Sequence, residues 1–393
     1  MRTNDHLAVG SPTVRVMAIM AATMLLIIAT AAVGIGVSRL LAADGAIVVA
    51  ADGSGDYTTL VEAVAAASDG DEILIRPGTY TEAVVIDKDL AISGDGPRED
   101  IVISGHVDPE LWAPGSACET SGPGACAVVL EQSDTRLSGI TFSGLHSGLK
   151  IMGGAPIVSE VMFDQVGAPG FGENADEGGQ VLVIGDGSQA RILDNEFDGM
   201  AGLEIVGRSV PVIEGNVMRG GTRITANDPG DEAVIRANEI TGAAAVAINI
   251  NAATRMLIED NIISGSAQDG IQLGLFSAIG VDPVIRGNTI NGSGGSGVNG
   301  ALGGAPTIED NVFADNDLGL LLGLGQATVR GNEIVGEGSG ITLARGSDPL
   351  VEGNILDVSG VGITLGDGAR GTLSENEVCG ADAAIMAHEN AES

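Results

Sequence analysis

Nine octapeptides in the chain follow one pattern, and this repeat restricts the possible folds more than any other feature. Each octapeptide has an apolar third residue, an asparagine in sixth place and an apolar eighth residue. They read ARILDNEF, PVIEGNVM, AVIRANEI, MLIEDNII, PVIRGNTI, PTIEDNVF, ATVRGNEI, PLVEGNIL and GTLSENEV. Their asparagines are Asn195, Asn216, Asn238, Asn261, Asn288, Asn311, Asn332, Asn354 and Asn376, with spacings of 21, 22, 23, 27, 23, 21, 22 and 22 residues. A short period repeated this often predicts a solenoid with one repeat per rung.

The asparagine of each repeat is expected at a corner of the coil. Period-two alternation places the third and eighth residues inside, because successive side chains of a strand point to opposite faces. Asparagine tolerates left-handed backbone, and its amide can bond to neighbouring main chain, which suits a turn. Rungs about 4.8 Å apart would stack the nine amides in an inward ladder. A row of ligand-binding amides is the functional alternative.

The residue that follows the apolar third place alternates in sign from rung to rung. The column reads Glu214, Arg236, Glu259, Arg286, Glu309, Arg330 and Glu352. Opposite charges on neighbouring strands stabilise a sheet slightly, whereas like charges that face each other destabilise it. The alternation therefore predicts that successive repeats pair in register, and we interpret the column as structural.

The composition agrees with many short strands joined by tight turns. The chain has 393 residues, of which 61 are glycine, 44% are hydrophobic and only 2% are aromatic. Such a chain is too hydrophobic to be disordered. Two earlier segments, TRLSGITF and PIVSEVMF, keep the apolar pattern with Ile140 and Val161 at the corner. Inserted loops are expected at 106–125 and at the acidic segment 171–179.

The net charge of −35 excludes one class of partner. Nucleic-acid binding requires lysine and arginine to neutralise phosphates, and the chain has 18 basic against 53 acidic residues. The acidity is interpreted as a source of solubility, with binding of divalent cations as the alternative. In that alternative Ca²⁺ is the cofactor and Asp228, Asp231 and Glu232 are the candidate ligands. The four histidines lack metal-ligand spacing.

The N-terminal segment 16–38 predicts a location outside the cytoplasm. It is apolar and uncharged, and as a helix it could cross a hydrocarbon core about 30 Å thick. Because the apolar part of a cleaved signal peptide is usually shorter, an uncleaved membrane anchor is favoured, with cleavage near Ala43 as the alternative. Arg2 and Arg15 weakly place residues 1–15 in the cytoplasm. Residues 45–393 would lie outside the cell membrane, or be secreted after cleavage.

The three cysteines are consistent with an oxidising compartment. Cys118 and Cys126 close a short loop in a segment rich in glycine, proline and serine, and we predict a disulfide between them. Cys379 is left over. It lies two residues after an apolar position that is expected to point inward, which predicts a buried and inert thiol.

The segment Asp52 to Gly96, DGSGDYTTLVEAVAAASDGDEILIRPGTYTEAVVIDKDLAISGDG, resembles the opening of pectinesterases and related pectin-lyase-like proteins. Thr59-x-x-Glu62 is a capping box that would start a short amphipathic helix. The resemblance implies that this helix caps a β-helix whose strand edges would otherwise be exposed. It implies a first rung at 73–86. The fold class is therefore all-β: one single-stranded right-handed parallel β-helix of about 11–13 rungs over 45–393, preceded by the transmembrane or signal helix.

The resemblance does not extend to catalytic motifs. The downstream aspartates, arginine and glutamines of pectinesterases are missing from the sequence, as are the Gly-His-Gly and paired-aspartate motifs of polygalacturonases. The Asp-Pro-His-Asp motif of alginate epimerases has only a weak counterpart at Asn227–Asp231. Since fold does not imply function, no catalytic residue is assigned.

One strand of each rung ends before a loop, and its outward residues form a column. The column is predicted to contain Lys150, Leu182, Glu204, Arg223, Asn249, Gln272, Asn299, Leu321, Thr342 and Thr364. In the pectin-lyase-like superfamily such a face binds sugar polymers. Lys150 and the polar stretch from Glu204 to Asn299, about 20 Å long, are the candidate ligand-binding residues, because amides and a Glu/Arg pair suit hydroxyls and carboxylates. An ordinary solvated face is the alternative.

The sequence favours a non-catalytic module that binds or scaffolds a polysaccharide or a surface protein. The candidate column has no close carboxylate pair for acid–base hydrolysis. The leading alternative is a lyase or esterase that acts on acidic polysaccharide, in which Lys150 or Arg223 would be the base. A structural stalk is the second alternative. The last rung ends near Met386, and exposed strand edges there predict end-to-end association.

Overall fold

The computed structural model describes residues 45–104, 126–144, 147–164, 180–199, 202–274, 281–300, 304–323, 325–336, 338–344 and 346–391. The predicted tail 1–15, the apolar segment 16–38, the insertions 106–125 and 171–179, and Cys118 with its predicted disulfide lie outside these residues. Within the described ranges, no helix is both long and apolar enough to cross a membrane.

Residues Ala46–Ser393 form one compact unit, a right-handed parallel β-solenoid of about 13 rungs. The predicted solenoid is thus confirmed. Each full rung contributes one strand to each of three parallel sheets, here called A, B and C in the order in which the chain visits them. Sheet A has 14 strands, and sheets B and C have 13 each. Neighbouring strands in a sheet belong to consecutive rungs.

The strands are short, and their bounds follow the repeat. Sheet A comprises Ile47–Val49, Glu72–Ile75, Ala91–Gly94, Arg136–Ser138, Ile157–Ser159, Arg191–Leu193, Val212–Glu214, Val234–Arg236, Leu257–Glu259, Val284–Arg286, Thr307–Glu309, Thr328–Arg330, Leu350–Glu352 and Thr372–Ser374. Sheet B comprises Gly78–Thr81, Ile101–Ser104, Thr141–Ser143, Met162–Asp164, Glu196–Asp198, Val217–Arg219, Glu239–Thr241, Ile262–Ser264, Thr289–Asn291, Val312–Ala314, Glu333–Gly336, Ile355–Val358 and Glu377–Cys379. Sheet C comprises Val84–Ile86, Cys126–Glu131, Ser147–Met152, Gln180–Gly185, Gly202–Ile205, Arg223–Ala226, Ile248–Ile250, Ile271–Leu273, Ser296–Gly300, Leu318–Leu322, Ser339–Leu343, Val361–Leu365 and Ala383–Ala387.

The two apolar positions of the repeat form the core inside the coil. In the rung of Asn216, Ile213 on sheet A and Met218 on sheet B are both fully buried. Full burial of one such side chain stabilises the fold by about 1.5–3 kcal/mol. On sheet B the rings of Phe142 and Phe163 stack with centroids 5.3 Å apart, and those of Phe163 and Phe197 with centroids 4.6 Å apart.

The corner between sheets A and B differs in one respect from the expectation. The residue with left-handed backbone is the one before the asparagine, for example Asp194 at φ 53°, Gly215 at φ 69° and Asp260 at φ 55°. This residue is often glycine or aspartate because both adopt positive φ at low cost. The asparagine supplies the side chain of the corner rather than its unusual backbone.

The predicted capping helix is present at Leu60–Ala66, and the side chain of Thr59 accepts a hydrogen bond from the Glu62 amide. The carboxylate of Glu82 accepts hydrogen bonds from the Leu60 and Val61 amides at 2.8 and 2.9 Å. At the other end, Lys88 Nζ donates to the carbonyl of Val64 at 2.7 Å. The helix packs on the first rung, formed by 72–75, 78–81 and 84–86 as predicted.

The opposite end of the solenoid exposes its last rung. Ile385 is 54% exposed and Met386 43%. The predicted end-to-end association stays a prediction. Cys379 is exposed, so the prediction of a buried thiol was wrong. Val378 is the partly buried residue of that strand, and Cys379 follows it by one position, which turns the thiol to the outward face.

Candidate functional site

The structure brings the nine repeat asparagines together in one continuous ladder. In the middle of the ladder, Asn238 Oδ1 accepts hydrogen bonds from the backbone amide of Asn216 at 3.0 Å and from Asn216 Nδ2 at 2.9 Å. Asn238 Nδ2 in turn donates to the Ile213 carbonyl and to Asn261 Oδ1, both at 2.9 Å. Each inner amide therefore has partners for its oxygen and its nitrogen, and this pattern is typical of a structural element.

The charge column also pairs as predicted on sheet A. Glu214 lies opposite Arg236, and Arg236 lies opposite Glu259 on the next strand. The side chains form discrete ion pairs, such as Arg236–Glu214 at 2.8 Å and Arg286–Glu259 at 2.6 Å. Hydrogen bonding to Glu259 raises the pKa of the Arg286 guanidinium. These ion pairs join neighbouring rungs of sheet A, as expected for a structural column.

The strand register of sheet C corrects two members of the predicted column. The observed outward column is Lys150, Val183, Glu204, Thr225, Asn249, Gln272, Asn299, Leu321, Thr342, Thr364 and Met386. Leu182 points inward and is fully buried, since it lies one residue from the outward Val183. Arg223 pairs with Gly202. Its side chain lies on the outward face, as predicted. Because it precedes Thr225 by two residues, it lies next to the column rather than in it.

A polar stretch runs across five neighbouring strands of this face. It consists of Glu204, Thr225, Asn249, Gln272 and Asn299, all partly exposed. The usual strand spacing gives it a length of about 20 Å. At its far end Asn299 Nδ2 donates to Asp269 Oδ2 at 3.0 Å. Neither Thr225 nor Asp269 was predicted from the sequence.

Two further asparagines on this face were also missed. Asn227 Nδ2 donates to Glu204 Oε1 at 2.5 Å, and Asn251 Nδ2 donates to Asn227 Oδ1 at 2.9 Å. Their signal in the sequence was the continued alternation after the strand, because Asn251 follows Asn249 by two residues. We call Glu204, Asn227, Asn249, Asn251 and Gln272 the amide patch.

The oxygens of three amides in the patch have no hydrogen-bond partner within the described part of the chain. These atoms are Asn249 Oδ1, Asn251 Oδ1 and Gln272 Oε1, and all three are shielded from solvent. Buried polar atoms in folded proteins almost always have a partner. The contrast with the asparagine ladder marks this face as a candidate binding surface.

Lys150 occupies the same outward column, two strands before Glu204. The residue is only 8% exposed. Burial lowers the pKa of the Lys150 ammonium, and the charge of Asp186 partly opposes that shift. A lysine with a lowered pKa carries a larger neutral fraction at a given pH, which is the form that can accept a proton.

The candidate calcium ligands do not form a cluster in the structure. Asp228, Asp231 and Glu232 are exposed, and Asp231 Oδ1 accepts a hydrogen bond from the Arg255 amide at 3.1 Å. Among the described residues, no group of three or more histidine, cysteine, aspartate or glutamate side chains could hold a metal ion. Calcium binding stays a prediction.

Several solved structures are similar to this chain. The Dettilon tailspike protein has 13% identity and a TM-score of 0.52, over 78% of this chain and 62% of the tailspike. The mannuronan C-5 epimerase AlgE6 A-module of Azotobacter vinelandii has 13% identity and a TM-score of 0.46, over 84% of this chain and 91% of the module. The pectin methylesterase PemA of Erwinia chrysanthemi has 16% identity and a TM-score of 0.34, over 63% of this chain and 78% of the esterase. At 13% identity, the similarity to the tailspike protein concerns the fold alone.

Family models agree with the architecture. The model for pectinesterase matches residues 46–116, the part whose sequence resembles those enzymes. No curated protein matches the sequence significantly. The model for the right-handed β-helix region matches residues 179–322 and 274–392, together more than half of the chain. The chain therefore belongs to the right-handed β-helix family.

Proposed function

We propose that this chain is a polysaccharide-recognition module displayed outside the cell membrane, which binds a sugar polymer along the outward face of sheet C. The observation that carries the proposal is the polar stretch from Glu204 to Asn299, continuous across five neighbouring strands. A polymer that lies along the solenoid axis would meet one polar side chain about every 4.8 Å.

The chemistry of this face supports binding of hydroxylated ligands. Amide side chains both donate and accept hydrogen bonds, and the outward residues of the stretch are partly exposed. The pectinesterase model at residues 46–116 is a second, weaker support, because it relates the first rungs to enzymes of a sugar polymer. The apolar segment 16–38 supports a position outside the membrane, either anchored or secreted.

The proposal is tested with the full-length chain and a panel of soluble neutral and acidic polysaccharides. Bound polymer is measured by isothermal titration, and products are measured by reducing ends, methanol release and the absorbance of unsaturated uronates. Saturable binding without products supports the module. We expect Glu204→Ala combined with Thr225→Ala to weaken it, whereas Arg236→Ala on sheet A serves as the control and leaves it unchanged.

The same assay separates the alternatives. Release of products would make the chain an enzyme. Absence of binding to every polymer would contradict the module and leave two alternatives, a scaffold for a protein partner and a structural stalk. Equal affinity of the Glu204→Ala, Thr225→Ala variant and the parent chain would remove sheet C as the binding face.

A lyase is the second candidate, and one observation favours it. Lys150 has a lowered pKa because it is buried, and a neutral lysine can remove the proton next to a uronate carboxyl group. We expect this activity, if the chain has it, to rise with pH as Lys150 loses its proton. Loss of product formation in Lys150→Met, with polymer binding retained, would support the lyase. Product formation at the parental rate would exclude Lys150 as the base.

A further inference from the structure

The three unpartnered amide oxygens of the amide patch suggest what kind of ligand it takes. Asn249 Oδ1, Asn251 Oδ1 and Gln272 Oε1 are shielded from solvent without a hydrogen-bond partner in the described part of the chain. An acceptor that has lost water and gained no donor destabilises the fold. The three residues lie on two neighbouring strands of one face and just beyond one of them, so a ligand that lies along this face would meet all three.

The orientation of Asn251 is fixed by its neighbours. Asn251 Nδ2 donates to Asn227 Oδ1, and Asn227 Nδ2 donates to Glu204 Oε1. A carboxylate can only accept, so the direction of this chain of hydrogen bonds is set by Glu204. Each bond also polarises the next. Asn251 Oδ1 is the last atom in this series of hydrogen bonds, and only a hydrogen-bond donor can satisfy it.

The side-chain oxygens of Asn249 and Gln272 also need a hydrogen-bond donor, and Gln272 lies on the next rung. They are direct partners on adjacent strands, about 4.8 Å apart along the solenoid. The remaining atoms of both residues are partly exposed. Their terminal torsions are soft, so a small side-chain movement would bring either oxygen to a ligand that lies on the face.

We propose that the amide patch binds a neutral, hydroxyl-rich sugar polymer and discriminates against polymers of uronic acids. This inference rests on the proposed function and specifies its ligand. A hydroxyl group can donate to the unpartnered oxygens, whereas a carboxylate offers them only acceptors. Glu204 adds a negative charge to the patch, and the net charge of −35 repels an anionic polymer over the screening distance.

A metal ion would be another way to satisfy amide oxygens. Hard divalent cations, however, usually require several carboxylates. The part of the chain that the structure describes has no cluster of three acidic, histidine or cysteine side chains that could hold one. In addition, the Glu204 carboxylate already accepts a hydrogen bond from Asn227. The hydroxyl donor is therefore the better match to this patch.

The experiment compares neutral and acidic polymers on the full-length chain and two variants. Titrations use dextran, β-glucan and galactomannan against polygalacturonate and alginate, at low and high salt, with EDTA or with Ca²⁺. We expect a neutral polymer to bind with an affinity that changes little with salt or EDTA. Asn249→Leu combined with Gln272→Leu should weaken that binding roughly tenfold or more, since two acceptors are lost.

A matched control and a stability measurement separate binding from folding. Thr342→Val combined with Thr364→Val alters the same column on later rungs and should leave binding unchanged. The Asn249→Leu, Gln272→Leu variant should keep or slightly raise the parental melting temperature, because it removes unsatisfied acceptors. Asn249→Asp keeps an acceptor at the patch and should retain the neutral polymer.

Each other outcome overturns a defined part of the inference. Tighter binding of a uronate polymer, or binding that requires Ca²⁺, would refute the neutral ligand and leave the proposed function intact. Neutral-polymer binding that survives Asn249→Leu with Gln272→Leu would refute the location, and loss in Asn249→Asp would refute the acceptor role. Absence of binding to every polymer would refute the proposed function itself.

Discussion

Amide side chains occupy two regions of this solenoid that differ in whether their oxygens have hydrogen-bond partners. At the corner between sheets A and B, amides such as Asn238 and Asn261 are buried, and their oxygens and nitrogens have partners on neighbouring rungs. On the outward face of sheet C, the oxygens of Asn249, Asn251 and Gln272 have none among the described residues. The same chemical group therefore stabilises the fold at the corner, and on the face it is the group to which we assign recognition in our proposal.

The largest expected effect tests the corner. Asn261→Ala removes the acceptor of the Asn238 amide and the donor to the Ile235 carbonyl. Because both partners stay buried and unsatisfied, we expect the free energy of unfolding to fall by about 3–5 kcal/mol. Urea denaturation followed by circular dichroism measures it, with hydrogen exchange to locate the loosened rungs.

Asn249→Ala is the matched control on sheet C, and it should change the free energy of unfolding by no more than about 0.5 kcal/mol. Asn376→Ala tests the end of the ladder. Asn376 is only partly buried, so its loss should destabilise less than that of Asn261. Equal destabilisation by Asn249→Ala and Asn261→Ala would remove the distinction between the two regions.

A smaller effect is expected from the charge column that flanks the corner. Arg286→Glu combined with Arg330→Glu replaces the pairs with Glu259 and Glu309 by repulsion between like charges. We expect the melting temperature to fall by about 1–3 °C at low salt and by less at high salt, because exposed pairs contribute little and are screened. Differential scanning calorimetry at two salt concentrations measures the shift. An unchanged melting temperature at low salt would contradict the role of the column in rung stacking.

The smallest effect concerns a carboxyl group beside the ladder. Burial, followed by the charges of Glu214 and Glu160, raises the pKa of the Asp194 carboxyl group. The folded state therefore holds this proton more tightly than the unfolded state, and stability falls as the pH rises from about 3.8 through the raised pKa. Asp194→Asn should raise the melting temperature by about 1 °C at neutral pH and have no effect at lower pH, where the carboxyl is protonated.

Asp310 provides the control for this prediction. It occupies the same corner position with a similar φ of 55°, but it lies near the positive charge of Arg330. Asp310→Asn removes an attraction and should not stabilise the fold. Thermal unfolding of both variants across acidic and neutral pH makes the comparison. If Asp310→Asn stabilised as much as Asp194→Asn, the local charges would not be the cause.

Much of the fold could be predicted because the rules that set it are local. Alternation within strands of three residues places Ile213 and Met218 inside, and the repeat of one asparagine per rung places the amides in contact. The alternating charges at the fourth residue of the repeat then indicate that the strands of successive rungs pair in register on sheet A. These signals need no knowledge of loop geometry, since two residues join sheets A and B in every rung that carries the repeat asparagine.

The candidate site could be predicted only in part because loops of unequal length precede sheet C. Three residues separate Arg219 from Arg223, whereas six separate Thr241 from Ile248. The sequence alignment of these strands relied on residue similarity. It therefore placed Arg223 two positions, and Leu182 one position, away from the residue that occupies the column in the structure. A one-position shift reverses the face of the side chain, whereas a two-position shift keeps it.

The sequence by itself determined the solenoid, most of its inward residues, its amide ladder and its capping helix, because each follows from alternation, period and capping within short segments. Only the tertiary structure decided which outward side chains share a column on sheet C, and which amides find partners there. Partnership depends on atoms from adjacent rungs more than twenty residues apart, such as Asn227 and Glu204. Contacts of this kind between distant residues decide whether an amide has a hydrogen-bond partner.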